Sequence, residues 1–245
     1  MPFLLNKHNQ KIAYKKISGK KPGIIFIHGL QSSMKGDKAI KIERFAIKNK
    51  HAFIRFDCRG HGDSFGDFQN FCISDWKQDL IDIIDRQTNG RQILVGSSMG
   101  GWLMMLAARA RIKRVSGLLG IAAAPDFTLD IYNSFTKKNK SEIKNKGLTT
   151  IGTKEYSERN IITKKLINDG KKNQILKKTF KLNKPMILLH GMKDDVVPIS
   201  TPFKIMNKAS GSNIQIKLLK GSGHKLSSLH DINIILKSLS ELLNI

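Results

Sequence analysis

The chain has 245 residues, 40% of them hydrophobic, and sets 43 Lys and Arg against 19 Asp and Glu, a formal net charge of +24. That length and apolar content suit one globular domain with a buried core. Two cysteines are too few for a disulfide framework, and no apolar run approaches the roughly 18 residues of a membrane span. The charge alone would fit a nucleic-acid binder, but the lysines are scattered along the chain rather than gathered beside aromatics; they read as a solvated surface with weak attraction for anions and no specific nucleic-acid partner.

Met1 to Leu5 leads into a hairpin whose second strand covers Gln10 to Ile17. No apolar signal core or arginine-rich presequence is present there, so the expected compartment is the cytoplasm. Gly23 to Ile27 is the first buried strand and ends in His28-Gly29-Leu30. Ala39, Ile42, Phe45 and Ala46 recur at helical spacing within a helix expected from Gly36 to Lys50. Strand Ala52 to Asp57 leads to the turn-rich Arg59 to Ser64, where His61 reads as structural. A further helix is expected near Ser74, taken as its N-cap, with Leu80, Ile81, Ile83 and Ile84 facing the core.

Next come strand Gln92 to Val95, a turn at Gly96 to Gly100, a helix from Met99 to Arg111, and strand Val115 to Ala122. Residues 126–182 break this rhythm and are expected to form a lid. Phe127, Leu129, Ile131, Tyr132 and Phe135 form the apolar side of an amphipathic helix with a basic outer face, and Gly147 to Gly152 is a short strand paired with Asn160 to Thr163. Strands Pro185 to Gly191 and Ile214 to Leu219 and a C-terminal helix bearing His230 complete the chain. Strands alternating with helices predict an α/β class fold: a mostly parallel sheet with helices on both faces, its core made of 1–125 and 183–245. Cys58 and Cys72 read as small apolar residues. Nothing has metal-ligand spacing, so neither a metal nor a cofactor is expected.

Gly96-Ser97-Ser98-Met99-Gly100 stands between a strand and a helix, which describes a G-x-S-x-G nucleophile elbow with Ser98 exposed at its apex. A serine hydroxyl needs a base, and the base needs an orienting carboxylate. His224 follows the last strand after the glycine-rich turn Gly221-Ser222-Gly223 and is the candidate base. Asp194 and Asp195 both stand in the loop past a buried strand's carboxyl end, the place for the acid. The Met99 amide, at the positive end of the elbow helix, is one candidate oxyanion donor. The second donor is expected from the loop after the first buried strand.

The stretches His28 to Ala39, Ala52 to Ser64, Ile93 to Met104 and Leu189 to Asp194 together resemble the α/β-hydrolase superfamily. The likeness is to its branch of mitochondrial palmitoyl-protein thioesterases and acyl-glucuronide esterases, with their bacterial relatives. It runs from about Gly23 to His224 and is weakest between Asp126 and Lys184. It implies an α/β-hydrolase fold with a lid, and it favours Asp194 as the acid, because Gly191 to Pro198 resembles the family's G-x-x-D-x-x-V-P stretch. By the same likeness, His28-Gly29-Leu30 is the H-G-x loop, Leu30 supplies the second oxyanion amide, and His28 braces the loop. The implied reaction is hydrolysis of carboxylic esters or acyl thioesters, small or protein-borne, through an acyl-enzyme without a cofactor. The lysine- and asparagine-rich middle segment departs from the pattern, so acyl length and leaving group do not carry over. An amidase or peptidase of the same fold, or a binding module for anionic partners, are the alternatives.

Overall fold

The computed structural model describes residues 2–152 and 160–244. Its strands are β1 (Phe3–Leu5), β2 (Lys11–Ile17), β3 (Lys20–Ile27), β4 (His51–Phe56), β5 (Gln92–Ser97), β6 (Val115–Ile121), β7 (Leu148–Ile151), β8 (Asn160–Thr163), β9 (Met186–Gly191) and β10 (Ile214–Leu219). Its helices are α1 (Asp37–Lys48), α2 (Ile73–Gln87), α3 (Met99–Ala110), α4 (Phe127–Ser134), α5 (Lys137–Lys146), α6 (Lys164–Lys172), α7 (Ser200–Lys208) and α8 (Leu229–Leu243).

Eight strands form one sheet in the order β1-β2-β4-β3-β5-β6-β9-β10. β1 and β2 join antiparallel at one edge, and from β4 to β10 every neighbouring pair is parallel. Side chains of a strand alternate between faces, so β3 sends Ile24 and Phe26 into one core and Ile25 and Ile27 into the other. The first core is covered by α1 and α8, through Ala39, Ile42, Ile235 and Leu239. The second is covered by α2 and α3. Every residue of α3 from Met99 to Ala108 is buried, as expected of a helix enclosed between a sheet and other elements. This is the α/β architecture expected from the alternation of strands and helices.

The N-cap of α2 differs from expectation. Cys72 caps it, the Cys72 N–H donating to the Asp75 carboxylate at 3.1 Å, while Ser74 lies within the first turn. The Ser74 hydroxyl and N–H instead donate to Asp169 in α6, at 2.8 Å each. His51 opens β4, one residue before the expected start of that strand, and is buried.

The insertion between β6 and β9 also departs in part. Its first portion is two helices rather than one, because the chain turns extended at Phe135 and Thr136, and the Thr136 hydroxyl accepts from Asn139 N–H to start α5. The expected strand pairing is present: β7 runs antiparallel to β8, with Thr150 opposite Ile161. Residues 153–159 of this insertion lie outside the described residues. α6 follows β8 at once, the Thr163 hydroxyl capping it by accepting from Leu166 N–H. The Asp126 carboxylate fastens the two ends of the insertion, taking the N–H groups of Ile175 at 2.8 Å and Leu176 at 2.9 Å.

Candidate active site

Ser98 stands between β5 and α3 with φ 53° and ψ −119°, a region costing about 1–3 kcal/mol for a residue with a side chain. Backbone bonds hold it there. Ser98 N–H donates to Ile121 O at 2.9 Å, and Ser98 O accepts from Gly101 at 2.8 Å and Ala124 at 3.1 Å. The flanking glycines are steric requirements: a Cβ on Gly96 would strike the Gly100 carbonyl, and one on Gly100 would strike the carbonyls of Ile27 and His28.

The other two polar side chains arrive on neighbouring loops. β9 and β10 are parallel neighbours, so the loops past their carboxyl ends run side by side, joined by Met192 N–H to Leu219 O and Lys193 N–H to Ser222 O, both 2.9 Å. One loop carries Asp194 and the other His224. The structure brings them together with Ser98: His224 Nε2 is 3.0 Å from Ser98 Oγ, and His224 Nδ1 is 2.8 Å from Asp194 Oδ2. Asp194 Oδ1 is occupied separately, accepting from the amides of Val196 at 2.9 Å and Val197 at 2.8 Å. Asp195, the competing acid, is exposed at the cavity wall. Burial alone would raise the Asp194 carboxyl. The His224 hydrogen bond and charge, with the two amides, outweigh it and hold the group below its usual value.

Sequence reasoning missed His190. It lies buried in β9, four residues before Asp194, donates from Nε2 to Val197 O at 3.0 Å, and stands 3.6 Å from Asp194 Oδ2. Desolvation pulls its pKa down despite the nearby carboxylate, so it works as a neutral donor that fixes the Asp194 loop. A histidine inside an otherwise apolar strand was the available signal.

Met99 opens α3, so its N–H has no acceptor within the helix and lies at the positive end of the dipole. Leu30 lies in the loop after β3, and both residues border the same cavity as Ser98. Two neutral histidines brace that loop. His28 Nδ1 donates to Gly29 O at 2.7 Å and Nε2 accepts from Cys58 N–H at 3.0 Å. His61 Nδ1 faces Arg59 O at 3.2 Å and Nε2 accepts from Gln31 N–H at 3.1 Å. Desolvation pulls His28 down to about 4 and His61 to about 3, so both rings keep the lone pairs these bonds need. Asp57, read as no more than a strand end, reaches across the loop: it accepts from Met34 N–H at 2.6 Å and Asp63 N–H at 2.9 Å.

Above Ser98 opens a cavity of about 930 Å³. Leu30, Phe127, Ile131 and Ile151 give it apolar walls, and Asp130 and Asn139 stand among them. A hydroxyl next to an imidazole, an imidazole held by a carboxylate and a partly apolar chamber can together carry out acyl transfer.

The alpha/beta hydrolase family model matches residues 24–150. The palmitoyl-protein thioesterase ABHD10, mitochondrial, of Pongo abelii is 38% identical over 246 residues, covering 100% of this chain and 80% of its own. The chain belongs to the α/β hydrolase family. Among solved structures, this α/β hydrolase superimposes on alpha/beta hydrolase domain-containing protein 10 from mouse with a TM-score of 0.92 at 35% identity, over 99% of this chain and 98% of that one. A putative hydrolase from Agrobacterium vitis gives 0.93 at 28% identity, over 99% and 100%. The class expected from the sequence, a hydrolase of carboxylic esters or thioesters, agrees with the family and with the names its relatives carry. No helix of the described residues is long and apolar enough to cross a membrane.

Proposed function

We propose that this α/β hydrolase cleaves carboxylic esters and acyl thioesters through an acyl-enzyme on Ser98, with His224 as base and Asp194 as its orienting carboxylate. The observation that carries the reading is the continuous relay Ser98 Oγ, His224 Nε2, His224 Nδ1, Asp194 Oδ2, with steps of 3.0 and 2.8 Å, opening into a 930 Å³ cavity. Asp194 keeps the Nδ1–H tautomer, so Nε2 presents a lone pair to the Ser98 proton. Ser98 Oγ attacks the carbonyl carbon, and the oxygen of that carbonyl gathers charge against the Leu30 and Met99 N–H groups. One such donor contributes about 3–4 kcal/mol to the barrier. The tetrahedral adduct collapses as His224 passes its proton to the departing thiol or alcohol. Water, activated by the same ring, then frees the acid.

Residues 126–182 act as a lid over the 1–125 and 183–245 core, with Phe127, Ile131 and Ile151 as the acyl wall. Acyl thioesters, on a small molecule or a protein, are the leading substrate class, supported by the name of the relative from Pongo abelii. The net charge of +24 raises the local concentration of anionic acyl donors over a range of about 8–10 Å. Those relatives are named mitochondrial, and fractionation of cells followed by activity assay decides between that compartment and the cytoplasm.

The test is hydrolysis of matched thioesters and p-nitrophenyl esters of increasing acyl length by wild type and Ser98→Ala. The alanine fits the elbow, so the expected result is a folded protein with turnover reduced by at least about 10³-fold. A Ser98→Ala enzyme that keeps its turnover would overturn the assignment.

A further inference from the structure

Gln31 follows Leu30 directly, and its backbone is held at φ 50°. Its N–H is fixed by His61. Its side chain does something the mechanism has not used. Gln31 Nε2 donates to Ile161 O at 3.0 Å, and Gln31 Oε1 accepts from Ile161 N–H at 3.4 Å. One carboxamide thus pairs with both backbone groups of one residue, as a neighbouring strand would. Ile161 belongs to β8, and its partner strand β7 carries Ile151, which lines the cavity. A short path of named bonds therefore joins the cavity wall to the residue beside Leu30.

Rigidity differs along the insertion. Its two ends are fastened by buried and half-buried groups: Asp126 on Ile175 and Leu176, Asp169 on Ser74, and Trp102 Nε1–H on Asn173 O at 3.2 Å. Gln31 is exposed, and its bonds to β8 compete with water. The hairpin edge over Gln31 is therefore the place where the insertion can loosen while its base stays fixed.

We propose that Gln31 is a positioning residue that couples the β7–β8 hairpin to the oxyanion loop, so that an acyl chain seated against the hairpin steadies the Leu30 donor. A chain packed on Ile151 orders the hairpin. The hairpin presents the Ile161 backbone to the Gln31 carboxamide, and residue 31, pinned on its other side by His61, holds Leu30 N–H in place. Chain length is thereby read out in kcat as well as in binding. The proposal rests on the serine hydrolase reading above.

The experiment compares wild type, Gln31→Met and Gln31→Ala on a two-carbon and a ten-carbon acyl thioester with the same leaving group. Methionine keeps the length of the side chain and loses both hydrogen bonds; alanine removes the reach as well. Because the pair is worth about one ordinary net hydrogen bond, kcat on the ten-carbon substrate should fall about fivefold, with the two-carbon substrate falling about twofold at most. KM for the ten-carbon substrate should move less than about twofold, since the apolar wall is intact. An equal loss on both substrates would mean general damage to the loop, and no loss on either would mean no coupling; each overturns the proposal. Labelling of Ser98 by a short fluorophosphonate separates the two layers. A wild type that does not label and does not turn over refutes the hydrolase reading itself, whereas labelling with chain-independent effects at Gln31 refutes the coupling alone.

Discussion

Asp194→Asn changes one atom of the site, and the structure dictates how the new amide must sit. Asp194 Oδ1 accepts two backbone N–H groups, from Val196 and Val197, at 2.9 and 2.8 Å. In asparagine only the carbonyl oxygen can accept, so the oxygen takes that side and the NH₂ turns toward His224 Nδ1, 2.8 Å from the atom it replaces. Nδ1 must then act as the acceptor, which moves the ring proton to Nε2, where it points at Ser98 Oγ and removes the base. Such an inverted tautomer lowers kcat by about 10³ to 10⁴, roughly 4 to 5.5 kcal/mol of barrier. Folding changes little, because both backbone donors keep their acceptor. The assay is kcat on a p-nitrophenyl ester at neutral pH beside Asp195→Asn, whose exposed carboxyl has no part in the relay and whose turnover stays within about twofold. An Asp194→Asn enzyme that keeps more than about a tenth of wild-type kcat would refute the tautomer argument.

Two further outcomes follow from the buried polar groups. His28 and His61, with pKa values near 4 and 3, stay neutral from pH 8 down to about pH 5, whereas in the unfolded chain they protonate below about 6.5. Their contribution to stability is therefore complete above pH 6.5 and declines as the pH falls toward those native values. Nitrogen-15 shifts of the two rings are the measurement, and titration of either ring above pH 5.5 contradicts it. Asp126→Asn leaves a donor facing one of the Ile175 and Leu176 amides, in a site only 8% exposed, and should cost about 2–3 kcal/mol in urea denaturation. Asparagine tolerates the φ of 59° found at residue 126, so a loss below about 0.5 kcal/mol would mean that the carboxylate does not fasten the insertion.

The central sheet and the three residues of the relay were legible in the sequence for a common reason. Parallel strands buried on both faces must read as continuous apolar runs, and their carboxyl ends must be where chemistry happens. Ser98 and Asp194 stand just past such runs, and His224 lies past the edge strand β10, whose Gln215 and Lys217 alternate with apolar residues, so local order fixes their placement without any knowledge of packing. Spacing alone left Asp194 and Asp195 open. What separates them is which carboxylate can receive the Val196 and Val197 amides while facing His224, a fact of three-dimensional geometry. The N-cap of α2 was legible in principle: Cys72 has Asp75 three residues on, the spacing of a capping box, whereas Ser74 has Lys77. The polar preference of Ser for caps misled because its hydroxyl is used elsewhere, by Asp169, 95 residues away.

That distance marks the boundary of sequence reading here. His190, Asp57 and Gln31 each act on a partner whose identity the local sequence does not encode: Val197 O and Asp194, the Met34 and Asp63 amides, and the Ile161 backbone. The links to Val197, Met34, Asp63 and Ile161 all use main-chain groups that every residue type but proline offers in full, so no side-chain pattern in the partner announces them. The insertion, beyond its strand pairing, is less legible for a related reason. A nucleophile, a base and an acid admit few residue types, but an acyl wall needs only apolar surface of suitable shape, which Phe127, Ile131 and Ile151 supply from a helix and a strand alike. Under the coupling proposed for Gln31, the way the β7–β8 hairpin is held over the cavity bears on specificity beside the residues that line it. The carboxamide of Gln31, which reaches that hairpin from the loop after β3, is where the proposed coupling of chain length to catalysis is made.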